Sequence, residues 1–367
     1  MSVNATTVSA GEALRVLEAG WAAQVAGGLT VSWMLHGRPG VGKTEVVQTL
    51  AQRIGAELYD LRLTTIEPQD LRGLPYFDHA RAKTVWYRPE DLPDTDEPAI
   101  LFLDELTAAA PALQPTVYGL LQERRVGRHR LPAKVMIVAA GNRVEDGAIA
   151  YDMGTALSDR LIHMIVQANA DDWAKQYAVP AGIHPTVAAF IRTRPDLLET
   201  TEASLRRGQM IACTPRSWTR VSQIMFSVSE RSVRQVMIAG TVGTAAAAEF
   251  ALLAEDISAN VKIDEMLARK RAERADLYPG TLHGLTALVY GLVGAVTLDT
   301  LPAAIEILAD MRGLSGLAKR GLPINELASF GFELLIARAI ESGLQEVFAR
   351  SDAYAGYAAE RRAAGLP

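Results

Sequence analysis

Gly37-Arg-Pro-Gly-Val-Gly-Lys-Thr44 carries a G-x-x-x-x-G-K-T spacing between a short apolar run, residues 30–35, and a stretch where Val46, Val47, Leu50, Ala51 and Ile54 recur at helical spacing until Gly55. That order predicts strand, loop and helix. The glycines allow a tight turn in which main-chain N–H groups at the head of a helix converge on a phosphate. Gly37, Arg38, Pro39, Gly40, Val41 and Gly42 form the cradle, and Glu45 follows them in the first turn of the helix. Lys43 is placed to reach β and γ phosphates and Thr44 to hold a magnesium ion.

Downstream, the apolar run Ile100-Leu-Phe-Leu103 leads straight into Asp104-Glu105. A buried strand thus delivers two adjacent carboxylates at its C-terminal end, where open α/β sheets bind ligands. Asp104 is expected to anchor the metal and Glu105 to polarise an attacking water, since phosphoryl transfer is mostly positioning and charge neutralisation. A further apolar run ends at Asn142, an uncharged amide suited to orient water beside a γ-phosphate. Arg160 stands at the entrance of the run 162–166. Thr214-Pro-Arg-Ser-Trp218 starts a helix with Thr214 as N-cap, yet places Arg216 in the first turn, where the helix dipole disfavours a cation unless an anion faces it. The cofactors this set implies are ATP and Mg2+.

Apolar runs at 30–35, 58–63, 99–103, 135–140 and 162–166 alternate with helical stretches, the pattern of a parallel sheet built from crossovers. Residues 74–87 and 124–131 read as hairpin insertions with basic tips. From Asp171 onward helical periodicity dominates. With 367 residues, beyond the roughly 100 to 200 of one core, the chain reads as three domains: 1–170 α/β nucleotide-binding, 171–260 a helical lid, and 261–367 a C-terminal helical domain, with the charge-dense stretch 268–276 as an internal boundary. Ser9 and Glu12 form a capping box for a first helix.

Thirty-seven basic against 42 acidic residues give a net charge of −5, without the basic excess of a dedicated duplex binder, so nucleic acid is unsupported globally. The one cysteine, Cys213, can close no internal disulfide, and the start of the chain lacks a charged segment followed by an apolar core, which points to a cytoplasmic protein. Residues 277–298 carry no Asp, Glu, Lys or Arg, but Pro279, His283 and several glycines leave their apolar centre short of the roughly 20 residues of a membrane span. No membrane partner is expected.

These residues resemble those of MoxR-type AAA+ ATPases. The resemblance runs through Gly37–Thr44, Glu67-Pro-Gln-Asp-Leu-Arg-Gly73, Leu103-Asp-Glu-Leu106, Leu121-Gln-Glu-Arg124, Gly141-Asn-Arg143, Ser158-Asp-Arg160 and Thr214-Pro-Arg-Ser217, within residues 10–260. It implies an α/β P-loop AAA+ domain with a parallel five-stranded sheet of order 5-1-4-3-2 and hairpin insertions, followed by an α-helical lid, and ATP hydrolysis to ADP and phosphate. It further implies a homohexameric ring with Asn142 as sensor 1, Arg160 as an arginine finger reaching the neighbouring subunit's nucleotide, and Arg216 as sensor 2. The insertions of such proteins line or flank a pore, and many act on a client protein with a von Willebrand A or metallopeptidase-like domain. Two positions depart from the pattern: Thr107 replaces an asparagine, and Pro115 is expected to interrupt the helix after the paired carboxylates. A AAA+ motor for DNA restriction or remodelling is the alternative, with Arg124, Arg125, Arg128, His129 and Arg130 as a basic cluster. A P-loop kinase or small-molecule ATPase fits the order Asn142, Arg160, Arg216 less well.

Overall fold

Ser9 and Glu12 close a reciprocal cap in the computed structural model, which describes residues 3–146, 158–314 and 321–363. Ser9 Oγ accepts the Glu12 N–H at 3.1 Å and Glu12 Oε2 accepts the Ser9 N–H at 2.8 Å, starting α1 (Ala10–Val25). The strands of the described residues are β1 (Thr6–Val8), β2 (Ser32–His36), β3 (Glu57–Arg62), β4 (Pro75–Asp78), β5 (Lys83–Trp86), β6 (Ala99–Asp104), β7 (Arg125–Val126), β8 (His129–Arg130), β9 (Val135–Gly141) and β10 (Leu161–Val166). The helix after the glycine loop is α2 (Lys43–Ile54), ended by Gly55 in the left-handed region at φ 64°.

The main sheet has the order β1-β10-β2-β9-β6-β3, with every pairing parallel. Five of these strands, β10-β2-β9-β6-β3, reproduce the expected 5-1-4-3-2. The expectation of five strands is corrected to six. Thr6–Val8 pairs with Met164–Val166 and covers what would have been the exposed edge of β10. Three residues are too few for the sequence to show a period.

Successive side chains of a strand point to opposite faces, and both faces of this sheet are covered. Leu101, Leu103, Ile137 and Ala139 enter one apolar core, whereas Ile100, Phe102, Met136 and Val138 enter the other with α1 and α2. Each fully buried large side chain contributes about 1.5–3 kcal/mol. This double burial explains why β6 and β9 read as continuous apolar runs.

Both insertions form as two-stranded antiparallel hairpins, β4–β5 and β7–β8. The Glu67–Gly73 motif leads into the first: the Glu67 N–H donates to Asp70 Oδ2 at 2.8 Å, and Gly73 at φ 80° lies so close to the Tyr87 carbonyl that an added Cβ would sit 1.8 Å from its oxygen. Pro115 does not interrupt the following helix. It is the second residue of Gln114–Glu123, in the first turn, where a missing N–H breaks no intrahelical bond.

Two compact units divide the chain. One holds the described residues up to Asn169 with Thr201–Met210 and Thr214–Arg216; the other holds Ala170–Thr200, Ile211–Cys213 and the described residues from Ser217. Within the second unit, helix Pro185–Thr193 packs on both Thr244–Asn260 and Leu282–Gly294, so segments expected as lid and as C-terminal domain share it. Residues 268–276 are knitted into the same unit. Arg274, only 4% exposed, donates to the Met266 and Arg269 carbonyls and pairs with Glu306 at 2.8 Å, and Arg271 pairs with Asp310. Gly284–Val293 is buried throughout, and no helix of the described residues is long and apolar enough to cross a membrane.

Candidate functional site

Parallel strands bring their following residues to one edge, and β9 lies between β2 and β6, so Asn142 emerges between the glycine loop and Glu105. The loop leaves β2 through Gly37, whose N–H donates to the Gly141 carbonyl at 3.2 Å. Gly40 and Gly42 adopt φ of 80° and 107°, conformations that favour glycine. Val41 is buried in the core beneath the loop, whereas Pro39 and Glu45 are exposed.

Lys43 is folded back along the loop: its Nζ donates to the Gly37 and Arg38 carbonyls and, at 3.2 Å, to Asn142 Oδ1. Burial lowers its pKa to about 8; the nearby charges of Asp104 and Asp146 oppose that shift, and those of Arg216 and Arg143 add to it. Lys43, Arg143 and Arg216 therefore converge on the loop alongside Asp104 and Asp146, so cations for a polyphosphate stand beside acids suited to a metal.

Asp104, 9% exposed, ends β6 and accepts the Glu105 N–H through Oδ1 at 2.9 Å. Glu105 occupies the left-handed region at φ 58°, which turns the chain sharply at the edge of the sheet. Its Oε2 accepts from Thr64 Oγ1 at 2.5 Å, and Arg62 Nε lies 3.9 Å from its Oε1. Neither Thr64 nor Arg62 was foreseen from the sequence, although the register Arg62 opposite Asp104 places both beside the carboxylates. Thr107 also acquires a function of position: its hydroxyl donates to the Asn142 carbonyl at 2.9 Å, tying the turn after β6 to the end of β9.

Arg216 belongs to this unit. Its N–H donates to the Gly40 carbonyl at 3.3 Å, and Gly40 is so close to Thr214 that an added Cβ would lie 2.9 Å from its Oγ1. Thr214–Arg216 thus sits on the loop itself. Arg160 is not brought there. It is exposed just before β10, and Leu161 is opposite Ser32, the first residue of β2, so the length of β2, about 16 Å, separates its backbone from the loop.

Three further sets of side-chain contacts were missed by sequence reasoning. Arg38 pairs with Glu202 at 2.7 Å and approaches Asp146 at 3.6 Å; Arg143 binds Asp146 through Nη2 at 2.8 Å; and His36 faces His163, Nε2 to Nδ1, at 2.8 Å. Because His163 Nε2 lies 2.9 Å from the Ser158 carbonyl, which only accepts, His163 carries its proton there and accepts from His36. Burial, with lesser effects of His163, Arg143 and Lys43, lowers the His36 pKa to about 4. His36 precedes the loop, Arg38 lies within it and Arg143 follows Asn142, but no local pattern pairs them with His163, Glu202 or Asp146. In the opposite sense, Arg124 leaves the basic surface cluster: its guanidinium donates to the Pro132 and Val135 carbonyls inside the fold.

The donor set fits ATP with magnesium. Among the described residues no group of three or more His, Cys, Asp or Glu could hold a metal alone, while the Thr44 hydroxyl and Asp104 carboxylate are oxygen donors of the kind that would hold magnesium together with substrate phosphates.

Residues 32–161 match the AAA domain of the dynein-related subfamily. The chaperone MoxR1 of Mycobacterium tuberculosis is 26% identical over 178 residues, covering 46% of this chain and 45% of that protein. The ATPase family gene 2 protein homolog B of Mus musculus is 33% identical over 99 residues, covering 27% of this chain and 11% of that protein. The chain thus spans less than half the length of these curated relatives. Among solved structures, RuvB of Thermotoga maritima is 16% identical, with a TM-score of 0.39 over 78% of this chain and 83% of that one.

Proposed function

We propose, for a chain that carries a MoxR-type AAA+ domain, that it hydrolyses ATP to ADP and phosphate and uses the cycle to remodel a partner protein. The observation that carries the reading is the meeting of Lys43, Asp104, Glu105 and Asn142 at one edge of the sheet, with Lys43 bonded to Asn142. Thr44 and Asp104 would hold magnesium, whose chemistry there would be charge neutralisation of the phosphates. Lys43 exchanges its carbonyl partners for phosphate oxygens. Glu105, oriented by Thr64, polarises the attacking water, and Asn142 directs its amide to the same water. Arg216, held on the loop in cis, stabilises the terminal phosphate; Arg160 does so from a neighbouring copy in a homohexamer.

The proposed client is a protein with a von Willebrand A or metallopeptidase-like domain, met in the cytoplasm. Leu74, Phe77 and Tyr87 are exposed on and beside the β4–β5 hairpin, with Phe77 75% exposed, an apolar surface suited to a protein rather than to a phosphate backbone.

Phosphate release and titration with a fluorescent ATP analogue test the assignment together. Lys43→Ala is expected to lose binding. Glu105→Gln should bind while turnover falls by about 10²-fold or more, and Arg160→Ala should keep binding while losing turnover. Ordinary turnover in Glu105→Gln would remove the catalytic assignment.

A further inference from the structure

We propose that Asp146 and Glu202, joined through Arg38, are positioning residues that hold the phosphate loop between the sensor strand and the segment bearing Arg216. The inference rests on the ATPase reading above and extends it to residues outside every motif of the sequence.

The Asp146 side chain is completely buried. Its Oδ2 accepts the Arg143 N–H at 2.7 Å and its Oδ1 the Arg143 guanidinium at 2.8 Å, which fixes the turn directly after Asn142. Arg38 Nε approaches the same Oδ1 at 3.6 Å. Arg38 then reaches away from the strand to Glu202 on helix Thr201–Arg206, at 2.7 Å. That helix and Thr214–Arg216 pack in one unit with the loop, and the Arg216 N–H binds the Gly40 carbonyl.

The consequence falls on Lys43. The carbonyls that receive its ammonium are those of Gly37 and of Arg38 itself. The Arg38 side chain, pulled by two carboxylates, sets the orientation of its own peptide and so the position of the lysine. A buried carboxylate shared by two guanidiniums is costly to disturb, because removing its charge leaves Arg38 to Glu202 and Arg143 to Glu145, both of them exposed carboxylates. Misplacement by a fraction of an ångström is enough to lower turnover without abolishing binding.

Asp146 and Glu202 are both partners of Arg38, which permits a double-mutant cycle. Turnover, affinity for the fluorescent ATP analogue and melting temperature are measured for Asp146→Asn, Glu202→Gln and the pair. Each single variant is expected to lower kcat by about tenfold with the affinity changed less than threefold, and the double variant to match the worse single rather than the product of the two. Asp146→Glu, which restores the charge, should recover part of the loss. Glu202, with its side chain 52% exposed, leaves the cycle interpretable if Asp146→Asn folds poorly. Wild-type kcat in Glu202→Gln, or multiplicative losses in the double variant, would overturn the proposal while leaving the ATPase reading intact. A wild-type chain that neither binds nor hydrolyses ATP would overturn both.

Discussion

Lys43 shows how the fold prepares a residue for its ligand. Burial against carbonyl groups lowers its pKa from 10.5 to about 8, so near pH 8 a substantial fraction of free protein is expected to carry a neutral lysine. The folded state binds fewer protons than the unfolded one between those values. The destabilising burial is therefore present in full below pH 8 and disappears as the pH rises to 10.5. A bound polyphosphate favours the charged form and returns the proton. ATP binding at pH 8 should accordingly take up a fraction of a proton per site, read by calorimetry in buffers of different ionisation enthalpy with the Glu105→Gln protein. Lys43→Arg in the same background stays charged and should take up none through this position. Equal uptake by the two proteins would show that Lys43 is already charged in the free protein.

The contact between the turn after β6 and the end of β9 belongs to the elements rather than to one residue. Gly141 admits the Thr107 side chain so closely that an added Cβ would lie 2.5 Å from Oγ1 and 2.7 Å from Cγ2. Gly141→Ala should cost about 1–3 kcal/mol by overpacking, measured by denaturant unfolding. Thr107→Ser keeps the hydroxyl and removes Cγ2, so the Gly141→Ala/Thr107→Ser pair should cost less than the sum of its parts; strict additivity would mean that the two elements do not press on each other. Such contacts mark the boundary of what sequence conveys. The buried strands, the glycine loop, Asp104-Glu105 and Asn142 were legible, because each is a local pattern with a chemical reason. The Thr64 bond to Glu105, Thr107's bond to the Asn142 carbonyl and the Arg38–Glu202 pair join residues distant in the chain, and only strand register and burial select them from other threonines and acids. β1 was missed for a different reason: at three residues its pairing with β10, not its composition, makes it a strand.

The sheet's polarity also bears on how copies of the chain would meet in the proposed ring. The glycine loop leaves the C-terminal end of β2, whereas Arg160 precedes β10 at the level where β2 begins. An arginine there cannot touch the phosphate held by its own loop across about 16 Å of strand, so if it contacts a nucleotide the nucleotide belongs to another copy. Shared sites of this kind, repeated head to tail, close into a ring when the rotation between copies allows it. Occupancy should then govern assembly, since ATP adds contacts only in the joined state. Light scattering on the Glu105→Gln protein should show the mass rising from fewer copies of the 39.6 kDa chain to about six on addition of ATP and magnesium. Arg160→Ala in the same background should shift that transition to higher protein concentration without changing the ATP affinity of the single chain. A mass of one chain under both conditions would assign Arg160 to surface ion pairing and return the choice to a monomeric P-loop ATPase.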